Sequence, residues 1–262
     1  MSNDELKKNE EIAKQYKELL CPEGNLVAIK MLSDLEGWGK VKKPKRPRTL
    51  CQLITQTRYI GRTFLAEGAD ISCPGVHPYL FGIKMPEGVA KKYVGWQFAT
   101  EEAAQISFDA LPNFEKGLYK AIFITPLKRC PVEPDTVIIF GNASQMLVLY
   151  SAYLRNRGGD FIIKAGNQAS CIRVTVAPIK ENRPYLAIPG NAWKLLALPS
   201  NTDLIFSIPI AFLEEIAESA WKLRRTGGSR YPAAWQHIDW DPQPPIGDLL
   251  KTDADAASWL KK

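Results

Sequence analysis

TVIIFGNASQMLVLYSAYLR, residues 136–155, decides the fold class. Residues 136–140 are apolar, β-branched or aromatic almost throughout, the composition of a strand with little solvent on either face. Gly141-Asn142 breaks that run and opens a helix expected at about 144–155, which Gly158-Gly159 closes. A buried strand feeding a helix points to a sheet flanked by helices.

The rest of the chain continues the alternation. A charged helix is expected at about 4–20, with Asn3 or Asp4 as its cap and Leu6, Ile12, Tyr16 and Leu19 along one face. NLVAIKML at 25–32 reads as a buried strand. A helix over about 49–65 follows, with Leu53, Ile54, Tyr59, Ile60 and Phe64 as its apolar positions. Another spans 100–108 under the cap Thr100, and the apolar stretch 79–83 precedes it. Further strands are expected at 121–126, 162–163, 172–176, 185–188 and 204–208, and an amphipathic helix at 211–223. The expected fold is α+β (or α/β), with mixed sheets flanked by helices in one body over residues 1–226.

Strand 25–32, helix 49–65 and Cys73 resemble strand 136–140, helix 144–155 and Cys171. A duplication into halves of about 20–120 and 121–226 would relate Cys73 to Cys171 across a pseudo-twofold axis; coincidence is the alternative. Residues 227–262, with Trp235, His237 and Trp240, read as an arm packed on the body. A homodimer contact or a lid are the other readings of that arm.

The 262 residues are 45% hydrophobic and 24% charged, ordinary globular values. No apolar run is long enough to span a bilayer, so no membrane is expected. The charged N-terminus lacks an apolar signal core, which argues for a cytoplasmic location. Five cysteines without a C-x-x-C spacing argue against a secreted disulfide framework or a zinc ribbon.

The net charge of +6 is local, because residues 40–48 alone carry Lys40, Lys42, Lys43, Lys45, Arg46 and Arg48. Pro44 and Pro47 keep that segment extended. A solvated loop is its plain reading. Docking of this chain as an accessory protein through the segment is another. The lack of interleaved aromatics argues against nucleic acid.

The chemistry-bearing residues are few. Cys73-Pro-Gly-Val-His77-Pro sets a thiol and one of the two histidines four positions apart. Cys51, Cys73 and Cys171 each fall at the end of an element, where ligands can converge. Soft thiolates suit a [4Fe–4S] cluster, and three of them leave one iron open for a substrate oxygen. Buried unligated thiols are the alternative. A second possibility is Cys73 as nucleophile with His77 as base, although Pro78 disfavours helix at His77. Cys21 and Cys130 are assigned to packing. Gly141-Asn142 at a helix start could hold an anion, but lacks the glycine pattern and lysine of nucleotide loops.

Cys51-Gln52, Cys73-Pro-Gly75, Gly82, Pro126-Leu127, Pro134-Asp135-Thr-Val137, Gln145-Met146, Cys171, Pro209 and Arg230-Tyr231-Pro232 follow one another in an order. That order resembles the prokaryotic family known as domain of unknown function 169. The resemblance implies relatives in anaerobic bacteria and archaea, with no activity attached. It also implies a further cysteine near Pro189-Gly190-Asn191 in many members. This chain has alanine at 187 and 192, which leaves three candidate ligands.

The leading expectation is therefore a cytoplasmic enzyme, a lyase or hydrolase, with Cys51, Cys73 and Cys171 on a metal centre. Its substrate would be a small, oxygen-bearing organic molecule. Arg58 would pair with a substrate anion, and His77 or Tyr59 would move protons. Gln52, Asn142, Gln145 and Asn191 would bind substrate. A cofactor-free small-molecule binding or sensor protein is the alternative.

Overall fold

A computed structural model describes residues 3–231 apart from 74, 84, 164 and 230. The expected arm, with Trp235, His237 and Trp240, lies almost wholly outside the described residues. Six strands form one sheet: β1 (Val27–Leu32), β2 (Phe64–Glu67), β3 (Ala121–Pro126), β4 (Thr136–Gly141), β5 (Tyr185–Ala187) and β6 (Leu204–Pro209). Their order is β2-β3-β1-β4-β6-β5, and every pairing is antiparallel, so the expected α+β class holds with a sheet that is not mixed. Central β1 sets Ile29 opposite Ile124 of β3 and Thr136 of β4.

Eight α-helices accompany the sheet among the described residues: α1 (Asn3–Leu20), α2 (Leu50–Ile60), α3 (His77–Phe81), α4 (Glu101–Asp109), α5 (Ala143–Leu154), α6 (Ser170–Glu181), α7 (Asn191–Ala197) and α8 (Ile210–Arg225). The strands are apolar on both faces because both are covered. Val27, Ile29 and Met31 share one core with α2, α3, α4 and α6. Ala28 and Leu32, from the same strand, join a second core with α1, α5 and α8. Ile29, Ile124 and Ile138 are fully buried, each stabilising the fold by about 1.5–3 kcal/mol relative to exposure. No helix among the described residues is long and apolar enough to cross a membrane.

Several elements depart from expectation for identifiable reasons. The helix expected to reach residue 65 stops at Gly61, whose φ of 66° caps α2, and Phe64 belongs to strand β2. The β-branched run 172–176 is helical, inside α6, because one face packs on the sheet; tertiary burial outweighs local strand preference here. Ile162 and Ile163 lie in an exposed loop and form no strand. Helix α3 begins at His77 despite Pro78, since a proline in the first turn removes no helical hydrogen bond.

The expected relation of Cys73 to Cys171 does not hold in this architecture, because it equates α2 with α5 and these cover opposite faces. The strand order does read the same from either edge when β1, β2 and β3 are replaced by β4, β5 and β6. In that register α2 matches α6 on one face, and Cys51 and Cys171 are each the second residue of their helix. Cys73-Pro-Gly75 before α3 then matches Ile188-Pro-Gly190 before α7.

Candidate functional site

Cys51, Cys73 and Cys171 line one pocket on the α2/α6 face of the sheet. Three parts of the chain meet there. The N-terminal ends of α2 and α6 bring Cys51 and Cys171, and the turn before α3 brings Cys73. Leu50, Val76, Trp193 and Leu196 give apolar walls, and Tyr93, Gln168, Ser170 and Thr49 supply the polar groups. The cavity is small, about 30 Å³, enough for a water molecule or two.

The ends of α2 and α6 are fixed by their own hydrogen bonds. Thr49 caps α2 by accepting from Gln52 N, while Gln52 Oε1 accepts from Thr49 N at 3.2 Å. Thr49 Oγ1 is also 3.0 Å from Cys51 Sγ. Gln52 Nε2 donates to Leu196 O at 3.1 Å, tying α2 to α7 beside the pocket. Ser170 Oγ accepts from Gly190 N at 2.9 Å and locks the start of α6 onto the turn before α7. Trp193 Nε1 donates to Thr55 Oγ1 at 3.1 Å.

Burial dominates the electrostatics of the thiols. It pushes Cys51 up from the usual thiol range even though Thr49 and backbone N–H groups favour the thiolate. Cys73 is pushed up to about 11, first by burial and then by the neighbouring Cys51. Cys171 rises well above its ordinary value through burial, with Cys51 and Cys73 adding to the effect. At neutral pH without a ligand all three are therefore neutral. The positive ends of two helices aimed at this pocket would support negative charge once a cation or cluster drew the protons off. Among the described residues, no group of three His, Cys, Asp or Glu side chains is placed to hold a metal ion. A single ion needs its sulfurs drawn in to bonds of about 2.3 Å.

The other expected site residues are not assembled here. Arg58 is buried with its guanidinium engaged by Asp203, at 2.6 and 3.0 Å, and by Glu23 O at 3.0 Å. It is a structural cation, with no free edge for a substrate anion. Tyr59 is partly exposed and packs against that guanidinium, 4.5 Å from ring centroid to Cζ. His77 does not line the pocket. Its ring packs against Phe81, and Nε2 lies so close to Gly68 that a Cβ there would come within 2.9 Å. Burial lowers its pKa, and no hydrogen bond between the Cys73 and His77 side chains supports a nucleophile–base pair.

Asn142 and Gln145 form a capping box at the start of α5, on the opposite face, and Gln145 Nε2 donates to Leu20 O at 2.8 Å. Their side chains are consumed by structure. Asn191 begins α7 at the surface and donates to Asn167 Oδ1 at 3.1 Å. Cys130 packs in the second core as expected. Cys21 is exposed after α1, with φ 46°, and does not pack.

Sequence reasoning missed Tyr93, Gln168, Ser170 and Trp193. Tyr93 ends a short 3-10 turn at Ala90–Tyr93, and its hydroxyl sits against Gly75. Burial, reinforced by Cys73 and Cys171, raises its pKa to about 12. Gln168 is buried and donates to the Gln97 side chain. The available signal was position: Gln168 and Ser170 flank the start of the helix that carries Cys171.

A family model described as Uncharacterised ArCR, DUF169, matches residues 16–219, and the chain belongs to that family. The chain is also 26% identical over 235 residues to the uncharacterized protein MJ0308 of Methanocaldococcus jannaschii. That similarity covers 86% of this chain and 97% of that protein. No solved structure matches the chain.

Proposed function

We propose that Cys51, Cys73 and Cys171 hold a sulfur-ligated metal cluster, most simply [4Fe–4S], for which the pocket they line, about 30 Å³ in the metal-free chain, has to widen. The protein would be an enzyme acting on a small oxygen-bearing molecule by non-redox chemistry: elimination, hydration or hydrolysis. The observation that carries this reading is the convergence of three thiols from separate parts of the chain on one pocket. The donor set is soft, with no carboxylate or imidazole among the pocket residues, and soft donors select iron–sulfur centres over hard cations. When bound, such a centre supplies Lewis acidity toward a hydroxyl or carboxylate oxygen through an iron that has no protein ligand.

The chain's own residues would do the rest. Leu50, Val76, Trp193 and Leu196 exclude water and strengthen every polar contact inside. Tyr93, protonated up to about pH 12, keeps a hydroxyl that can donate to a substrate oxygen. The buried Gln168 amide orients the polar end of a ligand. Purification without oxygen tests the reading. A brown protein with iron–sulfur absorbance supports it, and a colourless, metal-free protein after iron and sulfide reconstitution removes it.

The small apolar cavity with three neutral thiols favours one second reading, a cofactor-free protein that binds or senses a small apolar molecule. It is distinguished by full function in a colourless protein.

A further inference from the structure

A second concavity runs alongside α2, from Arg48 just before the helix to Gly61 and Arg62 just after it. Thr49, Leu50 and Cys51 border the pocket, whereas Gln56, Gly61 and Arg62 border this groove. The groove encloses about 810 Å³, within the range of small-ligand sites.

Its lining is strongly one-signed. All six cations of residues 40–48 border it, joined by Arg62 and Arg129 from two other parts of the chain, and no lining residue is acidic. Of these eight cations Lys43 alone is in an ion pair among the described residues, with Glu67 at 2.5 Å. Seven remain. Like charges gathered in one concavity destabilise the folded chain unless an anion sits among them.

The cationic segment is held where it is. Leu65 N donates to Lys42 O at 3.2 Å, Arg48 N to Asp70 O at 3.0 Å and Ser72 N to Arg48 O at 2.9 Å. Pro44 and Pro47 fix the backbone between those ties. The backbone that carries Lys42 to Arg48 is thus tied to the body at both ends. The negative end of α2, which would repel an anion, is masked. Gly61 N donates to Gln56 O and Thr57 O, and Asn25 Nδ2 donates to Arg58 O at 2.8 Å.

We propose that this groove binds a small molecule carrying several linked phosphate groups. Seven unpaired cations exceed what one carboxylate or one phosphate could neutralise. Arg46, Arg48, Arg62 and Arg129 offer forked donors that match phosphate oxygens, and the lysines add mobile point charges. The only aromatic lining residue, Phe64, is buried, so no ring is available to stack a nucleobase. The groove reads phosphate, and it does so independently of what the thiol pocket holds.

Calorimetric titration of the full chain with inorganic triphosphate near physiological salt tests this. The expected result is saturable binding that weakens as salt rises. The double substitution R46S/R129S, at two residues that do not line the thiol pocket, should weaken it by at least about tenfold, as loss of charge-assisted contacts predicts. An unchanged melting temperature in the variant keeps that comparison valid, and the single variants R46S and R129S repeat it if the double variant melts early. Absence of triphosphate binding to the native chain overturns the proposal, as does unchanged affinity in the variants. A single-stranded oligonucleotide that binds and is not displaced by triphosphate would make the groove a nucleic-acid surface, and would equally overturn it.

Discussion

Arg58 of α2 and Asp203, just before β6, are joined by two hydrogen bonds of 2.6 and 3.0 Å with both side chains buried. The guanidinium is sandwiched by aromatic rings, 4.3 Å from the Phe140 centroid and 4.5 Å from that of Tyr59. Asp203 also accepts from Ser200 N at 2.8 Å. The pair pins α2, and with it Cys51, to the second half of the sheet.

Removing one partner leaves the other charge buried and unmatched. Arg58→Met or Asp203→Leu should therefore lower stability by about 3–5 kcal/mol. Denaturant unfolding checks this. A loss below about 1 kcal/mol would show that the pair is solvated and does not anchor the helix.

The two capping glutamines separate structure from site. Gln145→Ala removes a capping-box partner on the far face and should cost about 1 kcal/mol without altering the thiol pocket. Gln52→Ala removes a comparable cap and also the tie to Leu196 at the pocket wall. It should match Gln145→Ala in stability yet raise the rate of thiol alkylation in the metal-free chain. Equal alkylation rates in the two variants would mean that α7 does not depend on Gln52.

Gly75 has no room for a side chain, since a Cβ would fall 2.9 Å from Tyr93 Oη and 3.1 Å from Phe108. Gly75→Ala should cost about 1–3 kcal/mol by overpacking. Tyr93→Phe removes the clashing oxygen, so the double variant should recover part of that loss. Strict additivity in the double-mutant cycle would exclude the contact as the cause.

The thiols predict a pH dependence of the metal-free chain. An unfolded cysteine ionises near its ordinary value, whereas folded Cys73 keeps its proton to about pH 11. Between those values the folded state binds more protons. The contribution of Cys73 to stability is therefore complete below the ordinary thiol range and is lost as pH rises through about 11. Unfolding free energy measured across that window should fall with pH, and should fall less in Cys73→Ala. Identical slopes would mean that the Cys73 thiol is solvated.

Much of the fold was legible. Strands β3, β4 and β6, helices α4, α5 and α8 and the N-terminal helix follow from apolar periodicity and from caps such as Thr100 and Asn142. What escaped was set by tertiary context. Residues 172–176 carry strand-forming side chains but pack as a helix, against the sheet face that also carries α2. The short helix α7 has too few residues for a period to emerge. At the site, the meeting of Cys51, Cys73 and Cys171 was readable from their positions at element ends. Arg58, His77, Asn142 and Gln145, which do not line the pocket, are polar groups whose neighbours (Asp203, Gly68 and Leu20 among them) are distant in sequence or invisible to pattern.

The central claim is that three particular cysteines share one metal centre, and iron analysis of single variants tests it most directly. Each of the five cysteines is replaced by serine in turn, and each protein is purified without oxygen and assayed for iron and sulfide. The account predicts that the Cys51, Cys73 and Cys171 variants lose their iron while the Cys21 and Cys130 variants retain the native amount. Native protein without iron, or the same iron content in all five variants, would contradict it.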